Sequence, residues 1–222
     1  MNKSKASLIQ KAEALSAAES WSEACIAWQR VVDSDQRDAQ AWSNLGLSRA
    51  YAGHYPEAID AFGIAMQRGL PPDQAALGIG IVFCLRQQYD VARENLEMAV
   101  SSNPDNIGAW SNLVVACVRL GLVQRAIQAA EKVLAVSPDN VSVLSSLGTL
   151  FKDAGIPEEA VAWCRRAAQA SPDDPRVVSN TLWAMLHSDT VSPTEIVAEA
   201  RQFDIRARAL AVKNTPLSLA RA

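Results

Sequence analysis

Five alanines, Ala24, Ala58, Ala92, Ala126 and Ala160, stand 34 positions apart along this chain of 222 residues. A fixed period of that length without insertions restricts the fold to a repeat architecture before any other residue is read. The clearest copy is residues 39–72, and it recurs in register at 73–106, 107–140 and 141–174. Within it Trp42, Leu45, Gly46 and Arg49 keep helical spacing, Gly53 interrupts, and Ala58, Phe62 and Ala65 resume it. The spacing predicts two short antiparallel helices joined by a tight turn. Gly46, Ala58 and Ala65 fall where two backbones must approach closely; Trp42, Tyr55 and Phe62 fill the wider gaps around them. One hairpin leaves an apolar face uncovered, so neighbours must stack.

The pattern W-x2-L-G, A-x3-F-x2-A and a closing Pro is present as Trp42, Leu45, Gly46, Ala58, Phe62, Ala65 and Pro71. Later copies keep Gly80, Tyr89, Ala92, Leu96, Ala99 and Pro104, then Trp110, Leu113, Gly121, Ala126 and Pro138, then Leu147, Gly148, Gly155, Ala160, Ala167 and Pro172. In these residues the chain resembles the tetratricopeptide repeat (TPR) family. The resemblance implies an all-α fold, a right-handed solenoid of about six stacked helix-turn-helix repeats closed by a longer C-terminal capping helix. The expected array is 1–208, with repeats 5–38, 39–72, 73–106, 107–140, 141–174 and a degenerate 175–208; residues 209–222 are expected to be the end of the capping helix and a frayed tail.

The ends of the array have their own character. In the first repeat Ala12, Trp21, Ala24 and Trp28 keep the pattern, while Lys5, Gln10, Lys11 and Glu13 make the leading helix polar, as an end repeat without a neighbour requires. Asp38, Asn106, Asn140 and Asp174 stand just ahead of leading helices, where their side chains can accept from unpaired helix N–H groups. Pro104, Pro138 and Pro172 end the helices before them. Near the C-terminus Ser192-Pro193-Thr194-Glu195 is a capping box with Pro at the first helical position. Ile196, Ala200, Phe203, Ala207 and Leu210 then mark one face of a helix of about 20 residues, lying on the fifth repeat, which Pro216 stops.

Several function classes are excluded. A net charge of −3 with both signs interspersed gives no basic stripe for nucleic acid. The first 20 residues hold no unbroken apolar run, so neither a secretory signal nor a membrane span is expected, and the location expected is cytoplasmic. Cys25, Cys84, Cys117 and Cys164 lack C-x2-C spacing and only His54 and His187 could join them, so no metal is expected and the cysteines read as small buried filler. No phosphate-binding, dinucleotide, nucleophile-elbow or zinc-protease motif occurs, so no catalytic residue and no cofactor are expected on this chain. Glu158 and Glu159 open a helix, where negative charge suits the dipole.

Function must then come from a surface. Leading helices line the concave side of such stacks. The sixth position of each repeat, two after the Trp, reads Gln10, Asn44, Gly78, Asn112, Ser146 and Asn180. An amide there offers donor and acceptor to a peptide backbone, so Asn44, Asn112, Ser146 and Asn180 are the candidate peptide-binding ladder. The alternative is that each Asn holds a local backbone bond. Ser43 and Ser111, with Ser145 and Ser179, are the neighbouring candidates; Arg119, Lys152 and Trp183 add charge and an aromatic face. The resemblance also disfavours one partner class: where chaperone-binding members grip a C-terminal carboxylate with Lys and Asn, this chain has Ile9 and Glu13, or Ser43 and Leu47.

A second, shorter resemblance covers Ser179-Asn180-Thr181-Leu182-Trp183 through His187 to Ser192-Pro193-Thr194-Glu195-Ile196. It looks like the last repeat of bacterial O-GlcNAc-transferase-like (SPINDLY-type) proteins, with Ser188 and Thr194 departing from the pattern. That implies the substrate-recognition part of a protein O-glycosyltransferase whose catalytic region lies outside this chain. Three functions stay open: a module binding an extended protein or peptide segment, that recognition region, or a scaffold self-assembling through end repeats near Trp21, Trp28 and Phe203.

Overall fold

In a computed structural model of the chain, residues 3–214 are described, with side-chain surroundings for 5–208. Leu210 as a packing residue, Pro216 as a helix stop and the expected frayed tail lie outside these. The described residues form twelve helices and no strand. They are α1 (Lys3–Ala17), α2 (Trp21–Ser34), α3 (Ala39–Tyr51), α4 (Tyr55–Gln67), α5 (Pro72–Leu85), α6 (Tyr89–Ser102), α7 (Ile107–Arg119), α8 (Val123–Val136), α9 (Val141–Asp153), α10 (Pro157–Ala170), α11 (Pro175–Leu186) and α12 (Pro193–Asn214). The fold is an all-α helical repeat. It divides into two compact units, the described residues up to Leu120, carrying α1–α7, and those from Gly121, carrying α8–α12.

In the N-terminal unit α1 pairs with α2, α3 with α4 and α5 with α6, and α7 closes on α6 and α5. The alanine beat shows why: Ala24, Ala58 and Ala92 are wholly buried, since only a methyl fits where paired backbones meet. Gly80 stands opposite Ala92 and Leu96, and Gly46 opposite Phe62. A Cβ on Gly80 would lie 2.7 Å from Leu96 Cγ, too close for the pair to keep its spacing. Trp28, Ala27, Val31 and Val32 of α2 join Ala12, Ala41 and Leu45 in the core between the first and second hairpins. Trp28 is 3% exposed, so this end tryptophan packs inward rather than offering an assembly surface.

The expected caps form. Asp38 accepts from Ala41 N at 2.9 Å, Asn106 from Ala109 N at 3.0 Å, Asn140 from Val143 N at 3.1 Å and Asp174 from Arg176 N at 2.9 Å. Asn106 does more than cap. Its Nδ2 donates to Asp73 Oδ2 at 2.9 Å, and Asn103 Nδ2 donates to the same oxygen at 3.0 Å, tying the start of α5 to the start of α7. Burial pushes the Asp73 carboxyl up, but the two amide bonds and helix N–H groups outweigh it and hold the carboxyl below the usual carboxylate range.

Tight turns recur at one register position in the first five repeats. The backbone is left-handed at Gly53 (φ 87°), Gly121 (φ 68°) and Gly155 (φ 71°), and also at Glu19 (φ 55°) and Gln87 (φ 59°), each 34 residues from the next. The turn geometry is therefore imposed by the hairpin even where no glycine supports it.

In the C-terminal unit α9 pairs with α10, and α11 packs on both. Cys164 is buried against Gly148, where a Cβ would stand 2.5 Å from its sulfur; Cys117 is buried in the other unit, and Cys25 and Cys84 are half-buried. Burial raises the Cys84 and Cys164 thiols to about 11, so they are inert filler. The capping box forms: Glu195 N donates to Ser192 Oγ at 3.3 Å and Ser192 N to Glu195 Oε2 at 3.2 Å. From it runs α12, 22 residues long. Ile196 packs on Ala160, Val161, Cys164, Ala184 and Met185, and Arg165 of α10 pairs with Glu195 at 3.2 Å. Ala200, Phe203 and Ala207 are half-buried along the same face.

Candidate functional site

Each trailing helix α2, α4 and α6 packs between the leading helices on either side of it, while α3, α5 and α7 also pack directly on one another. The leading helices thus form the inner wall of the N-terminal unit. Residues seven apart on α3 and α7, Asn44 with Tyr51 and Asn112 with Arg119, share a helix face. On α5 the same places are Gly78 and Leu85. Tyr51 (44% exposed), Leu85 (36%) and Arg119 follow one another along the exposed side of this wall. The Arg119 guanidinium lies 6.0 Å from the centre of the Tyr89 ring.

The sequence candidates divide. Asn44 is half-buried and its Oδ1 accepts from Gln40 Nε2 at 3.3 Å. Asn112 Nδ2 donates to Gly108 O, one turn back, at 2.9 Å, which is the local bond of the alternative reading. Ser111 is half-buried. Ser43 requires correction as a groove residue: it is 6% exposed. One residue is about 100° around a helix, which carries the fifth position of α3 away from the face of the sixth and into the packing.

In the C-terminal unit Ser146 Oγ donates to Ser142 O at 2.8 Å, another bond one turn back, and Asn180 is exposed. Lys152 and Trp183 come together, with the ammonium 5.1 Å from the centre of the Trp183 ring and 3.6 Å from Asp153 Oδ1. Trp183 also stacks on His187, centres 3.8 Å apart, whose Nδ1 lies 2.8 Å from Trp183 O. His187 is thus a packing and bonding residue.

Sequence reading missed a cavity of about 350 Å³ in the first two hairpins. It is lined by Glu13 and Ser16 of α1, Trp21 and Trp28 of α2, and Asn44, Leu47, Ser48 and Tyr51 of α3. Trp21 and Tyr51 stack with centres 4.5 Å apart and planes at 21°. The available signal was Tyr51 itself, an aromatic two turns beyond Asn44 on the same face.

The family model for the tetratricopeptide repeat matches residues 9–62, 43–107, 86–140 and 118–175, most of the chain. The chain belongs to the tetratricopeptide repeat family. As a TPR chain it is a protein-interaction module in class, and solved TPR structures share its fold. A thermophilic TPR protein of Thermus thermophilus, TTC0263, superposes with a TM-score of 0.71 at 17% identity, over 82% of this chain and 99% of that one. YrrB, described as a TPR protein with an unusual peptide-binding site, gives 0.56 at 20% identity, over 78% and 89%. MamA gives 0.57 at 18% identity, over 79% and 96%. At these identities the likeness concerns the fold alone. No curated protein matches the chain. Among the described residues of this TPR chain no cluster of His, Cys, Asp and Glu could hold a metal ion, and no helix is long and apolar enough to cross a membrane.

Proposed function

We propose that the chain binds an extended protein segment along α3, α5 and α7 of its N-terminal unit. The observation that carries this is the exposed row of Tyr51, Leu85 and Arg119 on adjacent inner helices, bordered by Asn44 and the aromatic cavity. A strand of peptide laid across the wall meets a ring, an apolar side chain and a cation in turn, a mixed apolar and polar surface of the kind that gives both affinity and register. Asn44 and Asn112 stand beside that row. Their amides are held by Gln40 and Gly108, so backbone pairing with a ligand requires one of those bonds to exchange. YrrB, described as peptide-binding, shares this fold and supports a peptide as the ligand type.

Selection of random twelve-residue peptides against the whole chain, followed by fluorescence anisotropy on the selected peptides, tests this. Leu85→Glu, and separately Asn44→Ala with Asn112→Ala, are expected to weaken binding about tenfold, roughly 1.4 kcal/mol, with the melting temperature unchanged. Selected peptides that bind these variants as tightly as the parent would place the interaction elsewhere.

The transferase-recognition reading draws no support from the contacts of the segment that suggested it. Thr181 Oγ1 bonds Cys164 O at 3.1 Å and Val177 O at 2.9 Å, Trp183 stacks on His187, and Ser192 and Glu195 cap α12. Those letters are accounted for by packing and capping.

A further inference from the structure

The cavity between α1, α2 and α3 differs from the rest of the inner wall in its chemistry. Its hydroxyl and indole donors are largely engaged inside the protein. Trp28 Nε1 donates to Ser16 Oγ at 3.0 Å, Ser16 Oγ donates to Ala12 O at 3.0 Å, and Ser48 Oγ donates to Asn44 O at 2.9 Å. What these groups leave toward the cavity is acceptor: the remaining lone pair on Ser16 Oγ, with the exposed carboxylate of Glu13 on the same lining. Trp21, Tyr51 and Asn44 keep polar hydrogens of their own, none of them charged.

Aromatic rings make up much of the lining: Trp21 and Tyr51 are stacked on each other, leaving one free face each, and Trp28 joins them. A negative ring face and a carboxylate both favour a cation, and a planar one can lie against an indole while its edge N–H groups reach acceptors. No lysine or arginine lines the cavity. The nearest cation on α3, Arg49, is turned to other partners, donating to Glu57 O at 3.2 Å and to Gln29 Oε1 at 3.0 Å. Burial, with smaller contributions from Cys84 and Glu19, raises the Tyr51 hydroxyl above its ordinary value, so the ring stays neutral. The next hairpin lacks the set: 34 residues on, Tyr51 becomes Leu85, Glu13 becomes Leu47 and Ser16 becomes Ala50.

We infer that this cavity is the specificity pocket of the inner wall and takes an arginine side chain of the bound segment. The guanidinium lies against the free face of one ring of the stacked Trp21–Tyr51 pair and donates to Glu13 and to Ser16 Oγ. This rests on the groove-binding reading above, and it adds the residue that the segment must carry.

The test uses the whole chain and the tripeptide acetyl-Gly-Arg-Gly-amide, with the citrulline tripeptide as its neutral isostere. Two-dimensional NMR of the tryptophan indole N–H groups reports on the site. The arginine tripeptide is expected to move the Trp21 and Trp28 signals with a Kd on the order of 1 mM, more weakly at high salt, while the citrulline peptide does not. Glu13→Gln, an exposed change that leaves the fold intact, is expected to weaken the response at least about threefold. Equal responses to arginine and citrulline, or no loss in Glu13→Gln, overturn the pocket. The two readings fail separately. Selected peptides that need Leu85 but carry no arginine and ignore Glu13→Gln would sink the pocket and keep the groove. Arginine binding at Trp21 alongside peptides indifferent to Leu85→Glu would do the reverse.

Discussion

The ring of Phe62 fills the space where a side chain at Gly78 would stand. Phe62 comes from α4 and Gly78 from α5, and a Cβ built on the glycine would overlap the ring edge. Gly46 faces the same ring from α3, where a Cβ would stand 3.1 Å from it. One aromatic side chain therefore sets the spacing of three helices, and it explains why the row of Asn44 and Asn112 has a gap between them. Gly78→Ala is expected to destabilise the protein by about 1–3 kcal/mol, because the ring can move only by displacing α3 or α5. Phe62→Leu should relieve the clash. Thermal unfolding of the double variant should then show less loss than the sum of the two single changes, the signature of direct contact; strict additivity would disprove it.

Gln87 is held at φ 59° where Gly53, Gly121 and Gly155 serve the other hairpins. A left-handed residue with a Cβ costs about 1–2 kcal/mol, part of which glycine returns by its greater freedom in the unfolded chain. Gln87→Gly should accordingly raise stability by about 0.5–1 kcal/mol. Gly53→Gln should lower it by a similar amount. Chemical denaturation midpoints for the two variants are expected to move in opposite directions.

Asp73 joins Asn103 and Asn106 at the base of α5 and α7. Its carboxyl titrates below the usual range in the folded state, so its contribution to stability is present above the unfolded pKa of about 4 and is lost as pH falls through the lower folded value. Asp73→Asn should lower stability at pH 7 by about 1–2 kcal/mol, since two bonds to a charged acceptor are replaced. The variant should also lose less stability than the parent as pH falls below about 5, toward and through the lowered folded value. Melting curves across this range would decide the matter, and parallel slopes for the two proteins would rule the linkage out.

The 34-residue beat fixed the all-α helical-repeat fold, because what repeats is local: alanines and glycines where backbones meet, Asp and Asn caps, and proline after the helices. Asn140 and the Ser192–Glu195 pair cap helices through bonds three residues apart, so their roles were legible in the letters. The candidate site was only partly legible, because a residue's face on a helix does not say what packs over it. Ser43 and Asn44 are neighbours in sequence, yet one is buried and the other borders a cavity. Likewise nothing in the repeat pattern joins Glu13, Trp21 and Tyr51. Three helices from two hairpins bring them together, and only the packing of α1 and α2 against α3 decides that they share one space.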